Sequence, residues 1–166
     1  MGQFMLKQLA LAAFLAIAAT SQALAAADVE VEINGGIGPL KGSLLMPDGN
    51  GPVAAVLIIP GSGPTDRNSN QPGMTNDALK LVAEQLAGQG IASLRIDKRG
   101  VAGSARAAAR EEDLRFETYI DDAVAWIKFL KLQKRVANVI VLGHSEGALV
   151  GTIAAQRTDA AGFISL

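Results

Sequence analysis

The sequence predicts an α/β domain in which a mostly parallel sheet carries helices on both faces. Three observations predict it. Strand-length apolar runs alternate with helix-length amphipathic segments after an initial hairpin. Val53–Ile59 is apolar at every position, as strands covered on both faces are. An apolar run from Val139 also delivers the pentad Gly143-His-Ser-Glu-Gly147 directly into a segment of small residues.

Met1 to about Ala27 stands outside that domain. Lys7 gives a short positive start, Leu9 to Ala19 is unbroken apolar sequence, and Ala23-Leu24-Ala25 offers an A-x-A cleavage site, with Ala25-Ala26-Ala27 as an alternative. This is the layout of a secretory signal peptide. A membrane anchor would need roughly 20 apolar residues, and the small residues that close this stretch favour cleavage. No twin arginine precedes it, so Sec-type export to the periplasm or the medium is expected. Residues 28–166 then form the mature chain, a length that suits one domain.

The elements follow in order. Val29, Val31 and Ile33 alternate with Glu30 and Glu32, the period-two pattern of a half-exposed strand. Gly35-Gly36 turns the chain, and Leu40 to Met46 returns as the hairpin partner. Pro47 to Pro52 is a dense turn cluster before the buried strand Val53–Ile59. Asp77 to Ala87 reads as a helix with Leu79, Val82, Ala83 and Leu86 on one face, stopped by Gly88 and Gly90. Ile91 to Ile96 is a short strand ending in Asp97-Lys-Arg-Gly100. Phe116, Ile120, Val124, Ile127 and Leu130 recur at helical spacing, which places a helix over about Thr118 to Leu132 with Trp126 in or beside the core. Val136 to Leu142 is a strand, a helix follows to about Gln156, and Gly162 to Leu166 begins another strand. The right-handed crossover rule puts the helices on both faces.

Composition excludes several function classes. Lys and Arg number 15 against 16 Asp and Glu, interspersed, so neither nucleic acid nor an anionic surface is indicated as a partner. The absence of cysteine rules out disulfides, thiolate metal sites and thiol catalysis within these residues. One histidine and no H-E-x-x-H spacing argue against zinc, and no cofactor is implied. There is no repeat at solenoid spacing.

Three segments leave strands at their carboxyl ends, where open α/β sheets bind ligands. The first, Pro60-Gly-Ser-Gly-Pro-Thr-Asp-Arg-Asn-Ser-Asn70, is long and rich in Gly, Pro and Asn. Its Gly61-Ser62-Gly63 can aim backbone N–H groups at a developing oxyanion, donors that contribute on the order of 2.7–4 kcal/mol to a transition state. The competing reading is a surface turn with Asp66 and Arg67 paired in solvent; the pentad downstream favours the oxyanion reading. In the second segment, Asp97 is expected to bind backbone N–H groups and hold the loop. Arg99, Arg106 and Arg110 could meet an anionic substrate but are more often solvated in such positions.

The third segment is the pentad. Gly-x-Ser-x-Gly between strand and helix is a nucleophile elbow, with the serine on a strained turn and glycines that remove clashing side chains. Ser145 would attack an acyl carbon, and the backbone N–H of Glu146 would donate to the oxyanion. The Glu146 side chain also suits a helix N-terminus. His144, the only histidine, stands beside the nucleophile, and adjacent side chains on a sharp turn diverge, so it reads as a packing or hydrogen-bonding residue. A dinucleotide site is disfavoured. The glycines at 143, 147 and 151 are spaced G-x3-G-x3-G, and no acid ends a strand about 20 residues on.

With these residues in hand, the chain resembles the α/β-hydrolase superfamily, and most closely bacterial exported esterases and serine-aminopeptidase-like hydrolases. The resemblance rests on Pro60-Gly-Ser-Gly-Pro-Thr-Asp-Arg-Asn68, Asp97-Lys-Arg-Gly100, Asp113-Leu-Arg-Phe116 and Gly143-His-Ser-Glu-Gly147, in the family's order. It implies an α/β-hydrolase-type sheet, Ser145 as nucleophile, and Glu146 and Ser62 as backbone oxyanion donors. Many members carry histidine where this chain has Pro60, so that supporting role is absent. In the family the triad runs Ser, then Asp or Glu, then His. Both partners are therefore expected beyond Leu166, with residues 28–166 as the N-terminal part of the domain and inactive alone. Asp159 lies between the elbow helix and the next strand and is not nominated. The expected substrate is a small carboxylic ester, without a stable membrane anchor; the alternatives are a peptidase of short peptides and a non-catalytic truncated relative.

Overall fold

The structure is a computed structural model that describes residues 28–108 and 110–166, with Glu111 described by its backbone alone. The expected signal peptide lies outside the described residues. The chain runs β1 (Asp28–Asn34), β2 (Pro39–Leu45), β3 (Val53–Ile59), α1 (Ala78–Gly88), β4 (Ala92–Ile96), α2 (Phe116–Lys131), β5 (Val136–Gly143), α3 (Glu146–Thr158) and β6 (Gly162–Ser165). Two 3₁₀ turns, Ala102–Ala107 and Glu111–Asp113, bridge β4 to α2. Among the described residues no helix is long and apolar enough to cross a membrane.

The strands form one sheet in the order β1-β2-β4-β3-β5-β6. β1 pairs antiparallel with β2, from Asp28 opposite Leu45 to Asn34 opposite Pro39, and β2 pairs antiparallel with β4. The remaining pairings, β4 with β3, β3 with β5 and β5 with β6, are parallel. The expected mostly parallel α/β sheet is therefore present, with the hairpin at one edge.

From β3 the chain crosses to β4 on one side and then returns to β5 on the other, which sends α1 and α2 to opposite faces. Leu79 and Ala83 of α1 pack with Leu45, Val56, Ile58 and Leu142. On the other face Trp126, Ile127 and Leu130 of α2 and Val150 of α3 pack with Leu57, Ile59, Leu94 and Val141. Trp126 is fully buried, and its ring meets Phe129 edge-on at 5.5 Å.

Boundaries differ from the pattern in small, explicable ways. α1 begins at Ala78 because Asp77 takes a left-handed conformation (φ 50°) and caps the helix instead of entering it. α2 begins at Phe116, two residues earlier than expected, since Arg115 is extended and an acid in the first turn suits the helix dipole. β4 starts at Ala92 and buries all five of its residues, including Arg95.

Candidate active site

β3 and β5 are neighbours whose last residues, Ile59 and Gly143, lie opposite each other. The segments that leave them therefore emerge at the same level, where the direction of strand order reverses and open α/β sheets form their crevice. His144 extends the ladder by donating its N–H to the Ile59 carbonyl at 3.0 Å. On the far side Ser145 N–H donates to the Leu166 carbonyl at 2.9 Å, so the turn is held from both neighbouring strands.

Ser145 sits at φ 54°, ψ −120°, a conformation that strains any residue bearing a Cβ. The turn is tight because α3 starts at once: Gly147 N–H reaches the His144 carbonyl and Ala148 N–H the Ser145 carbonyl, each at 2.9 Å. The flanking glycines are required by proximity. A Cβ on Gly143 would lie 2.2 Å from the Gly147 oxygen, and one on Gly147 would lie 2.4 Å from the Ile59 oxygen. The sequence motif is thus a strained elbow in the structure, with its serine exposed.

The Gly61–Asn70 loop closes on this elbow. A Cβ on Gly61 would stand 3.0 Å from His144 Nδ1 and 3.4 Å from the Ser145 Cβ, so glycine lets the two segments touch. Ser145 and Ser62 line one open cleft of about 200 Å³ together with Thr65, Gln71, Met74 and His144. Among the described residues no acceptor takes the N–H of Ser62 or of Glu146, the latter being the first, unsatisfied donor of α3. The three residues expected to form the site, Ser62, Ser145 and Glu146, are therefore adjacent.

The loop is ordered by its own polar side chains. Buried Thr65 donates its hydroxyl to the Ser62 carbonyl at 2.7 Å and accepts from Gln71 Nε2 at 2.7 Å. Asp66 Oδ1 accepts the N–H groups of Asn68 and Asn70, both at 2.8 Å. Arg67 does not pair with Asp66 in solvent. Its Nη2 and Nε donate to Asp97 Oδ2 at 2.6 and 3.0 Å, and its backbone N–H donates to Asp97 Oδ1 at 2.8 Å. Gly103 N–H also donates to Asp97 Oδ2. Asp97 is therefore a buried loop anchor, as its place at the end of β4 suggested.

His144 makes no hydrogen bond to the Ser145 hydroxyl; its ring rests against Gly61. Asp159 caps α3 in a left-handed conformation. Among the described residues no group of three or more His, Asp or Glu is placed to hold a metal ion.

Arg99 and Arg110 are not free cations, whereas Arg106 is exposed. Arg99, expected in solvent or toward an anion, is largely buried and forks onto Asp122 at 2.9 and 2.6 Å while its Nη1 donates to the Gly35 and Ala107 carbonyls. Hydrogen bonding to Asp122 raises Arg99 above its ordinary value. Burial pushes the Asp122 carboxyl upward, and Arg99 opposes that rise. Arg110 forks onto Asp113 at the surface. Two further features were not foreseen: buried Arg95 bonds Asn68 and Asp28, and Lys98 Nζ pairs with Glu146 Oε2 at 3.2 Å. Their only sequence signals were a charge inside β4, another just after it and one at the start of α3.

Known proteins bear on this arrangement. The family model described as serine aminopeptidase, S33, matches residues 73–166. Esterase EstD of Thermotoga maritima is 33% identical over 137 residues, covering 82% of this chain and 31% of that protein. Among solved structures, dienelactone hydrolase from Anabaena variabilis aligns with 85% of this chain and 63% of its own, at 26% identity and TM-score 0.64. A lidless α/β serine hydrolase from Xanthomonas campestris aligns with 83% of this chain and 60% of its own, at 23% identity and TM-score 0.63. The chain thus spans about a third of the curated relative and about 60% of these two structures. With the strand order, the strained serine elbow and the family match in agreement, the chain belongs to the serine aminopeptidase (S33) family of α/β hydrolases.

Proposed function

We propose that Ser145 is the nucleophile of a serine hydrolase that cleaves carboxylic esters through an acyl-enzyme. The observation that carries this reading is the exposed Ser145, held at φ 54° in the cleft it shares with Ser62. Strain of this kind persists where the fold over-determines it, and it clusters at active sites. Oγ of Ser145 attacks the acyl carbon, and the oxyanion is received by the N–H groups of Glu146 and Ser62. The alcohol then leaves with a proton from the general acid, and water hydrolyses the acyl-serine. The similarity to esterase EstD supports the ester reading.

The base is not His144, which makes no hydrogen bond to the Ser145 hydroxyl and rests on Gly61. It comes from a histidine outside these 166 residues, oriented by an acid, so residues 28–166 alone give no serine-dependent turnover. The leader over residues 1–27 directs export. A peptidase using the same machinery is the second reading, favoured by the family's description as a serine aminopeptidase.

The test is labelling of the intact protein by a fluorophosphonate, beside Ser145→Ala. Labelling of wild type that vanishes in the variant is expected; failure of the folded wild type to label overturns the reading. Turnover of p-nitrophenyl esters against aminoacyl anilides separates the two substrate classes.

A further inference from the structure

We propose that Lys98 is a positioning residue that acts through Glu146, neutralising the carboxylate that would otherwise oppose the oxyanion at Ser145. The inference rests on the reading of Ser145 as nucleophile. An acid at the first position of α3 suits the helix dipole, but a developing oxyanion would be stabilised at the same helix end, by the same residue's N–H. The Glu146 side chain lines the pockets it shares with Lys98 rather than the Ser145 cleft, and from there its charge opposes negative charge forming at the same helix end.

Lys98 answers that charge from 48 positions away in sequence. Its Nζ lies 3.2 Å from Glu146 Oε2, with the lysine side chain 9% exposed and the glutamate 34%. The ammonium also lies 5.8 Å from the centre of the Tyr119 ring, a cation–π contact that fixes it from a second side. Its main chain is anchored, since Val101 N–H donates to the Lys98 carbonyl at 2.9 Å. Ile59, Pro60, Trp126 and Val150 line the pocket beside the pair, so water screens it less than a surface pair. The neighbouring charges have other partners: Asp97 holds Arg67, and Arg99 holds Asp122. Lys98 is thus the cation matched to Glu146.

The test is a double-mutant cycle in the intact protein, with kcat and KM for an ester and the fluorophosphonate labelling rate as readouts. Lys98→Met is expected to lower kcat and the labelling rate about tenfold or more, with KM little changed, as for an interaction felt mainly in the transition state. The same substitution made on Glu146→Gln is expected to have a much smaller effect, and Lys98→Arg, which keeps the cation, to retain kcat. A merely structural lysine would give equal losses on both backgrounds, which overturns the proposal, as does a Lys98→Met variant equal to wild type. If Lys98→Met does not fold, Lys98→Gln takes its place in the cycle. A folded wild type that fails to label defeats the Ser145 reading itself, an outcome distinct from labelling that is insensitive to Lys98.

Discussion

Arg67, in the loop after β3, closes a two-nitrogen fork on the buried Asp97 at the end of β4, with Nη2 to Oδ2 at 2.6 Å. The same carboxylate accepts the backbone N–H groups of Arg67 and Gly103. One acid thereby ties the loop that carries Ser62 to the sheet beneath it. Asp97→Ala leaves Arg67 with only the Glu30 carboxylate, 4.0 Å away and largely exposed, and two backbone donors without an acceptor. The expected loss is about 3–5 kcal/mol, as when one partner of a buried pair is removed. Urea unfolding measures it, and an unchanged midpoint would show that the loop does not depend on this anchor.

Arg99 and Arg110 form the same kind of fork in different surroundings. Arg99 is buried against Asp122 and two carbonyls, whereas Arg110 meets Asp113 in solvent. Arg99→Ala is expected to lower the unfolding midpoint clearly, and Arg110→Ala to leave it unmoved. Equal effects would contradict the burial difference.

The strain at Ser145 predicts a separation of stability from chemistry. Glycine adopts positive φ freely, so Ser145→Gly is expected to be more stable than Ser145→Ala by about 1 kcal/mol, part of the 1–3 kcal/mol such strain costs. Neither variant should label. Paired thermal melts decide it, and a less stable glycine variant would count against a strained elbow.

Gly147→Ala places a methyl 2.4 Å from the Ile59 oxygen, a clash with backbone that cannot move aside. It is expected to unfold the protein or abolish soluble expression. Gly88→Ala, at the last position of α1 where a Cβ meets nothing within 4 Å, is expected to be neutral or to stabilise by about 0.5 kcal/mol. Soluble yield and melting midpoint compare the two.

Trp126 is the single tryptophan and is fully buried, so its emission reports the α2–sheet interface directly. A blue-shifted spectrum with weak acrylamide quenching is expected in the native state, moving red on unfolding. Trp126→Ala should cost about 3–5 kcal/mol; a native spectrum like that of free tryptophan would place the ring elsewhere.

Local patterns in the sequence determined the elements, since alternation in β1, the unbroken apolar run of β3 and the helical spacing of α2 depend only on near neighbours. They also determined the elbow, because a turn that passes from strand to helix around a serine needs small residues at positions 143 and 147. Tertiary structure alone decided the partners. Asp66 stands next to Arg67, yet Arg67 reaches Asp97, 30 positions on, because the order β4-β3-β5 brings those loops together. The same order buried Arg99, set Arg95 beneath Asn68, and put Lys98 against Glu146. A charged residue at a strand end looks alike in sequence whether it meets water or a distant counter-charge. Which of the two it meets depends on which strands become neighbours, and that is settled by packing across the whole sheet.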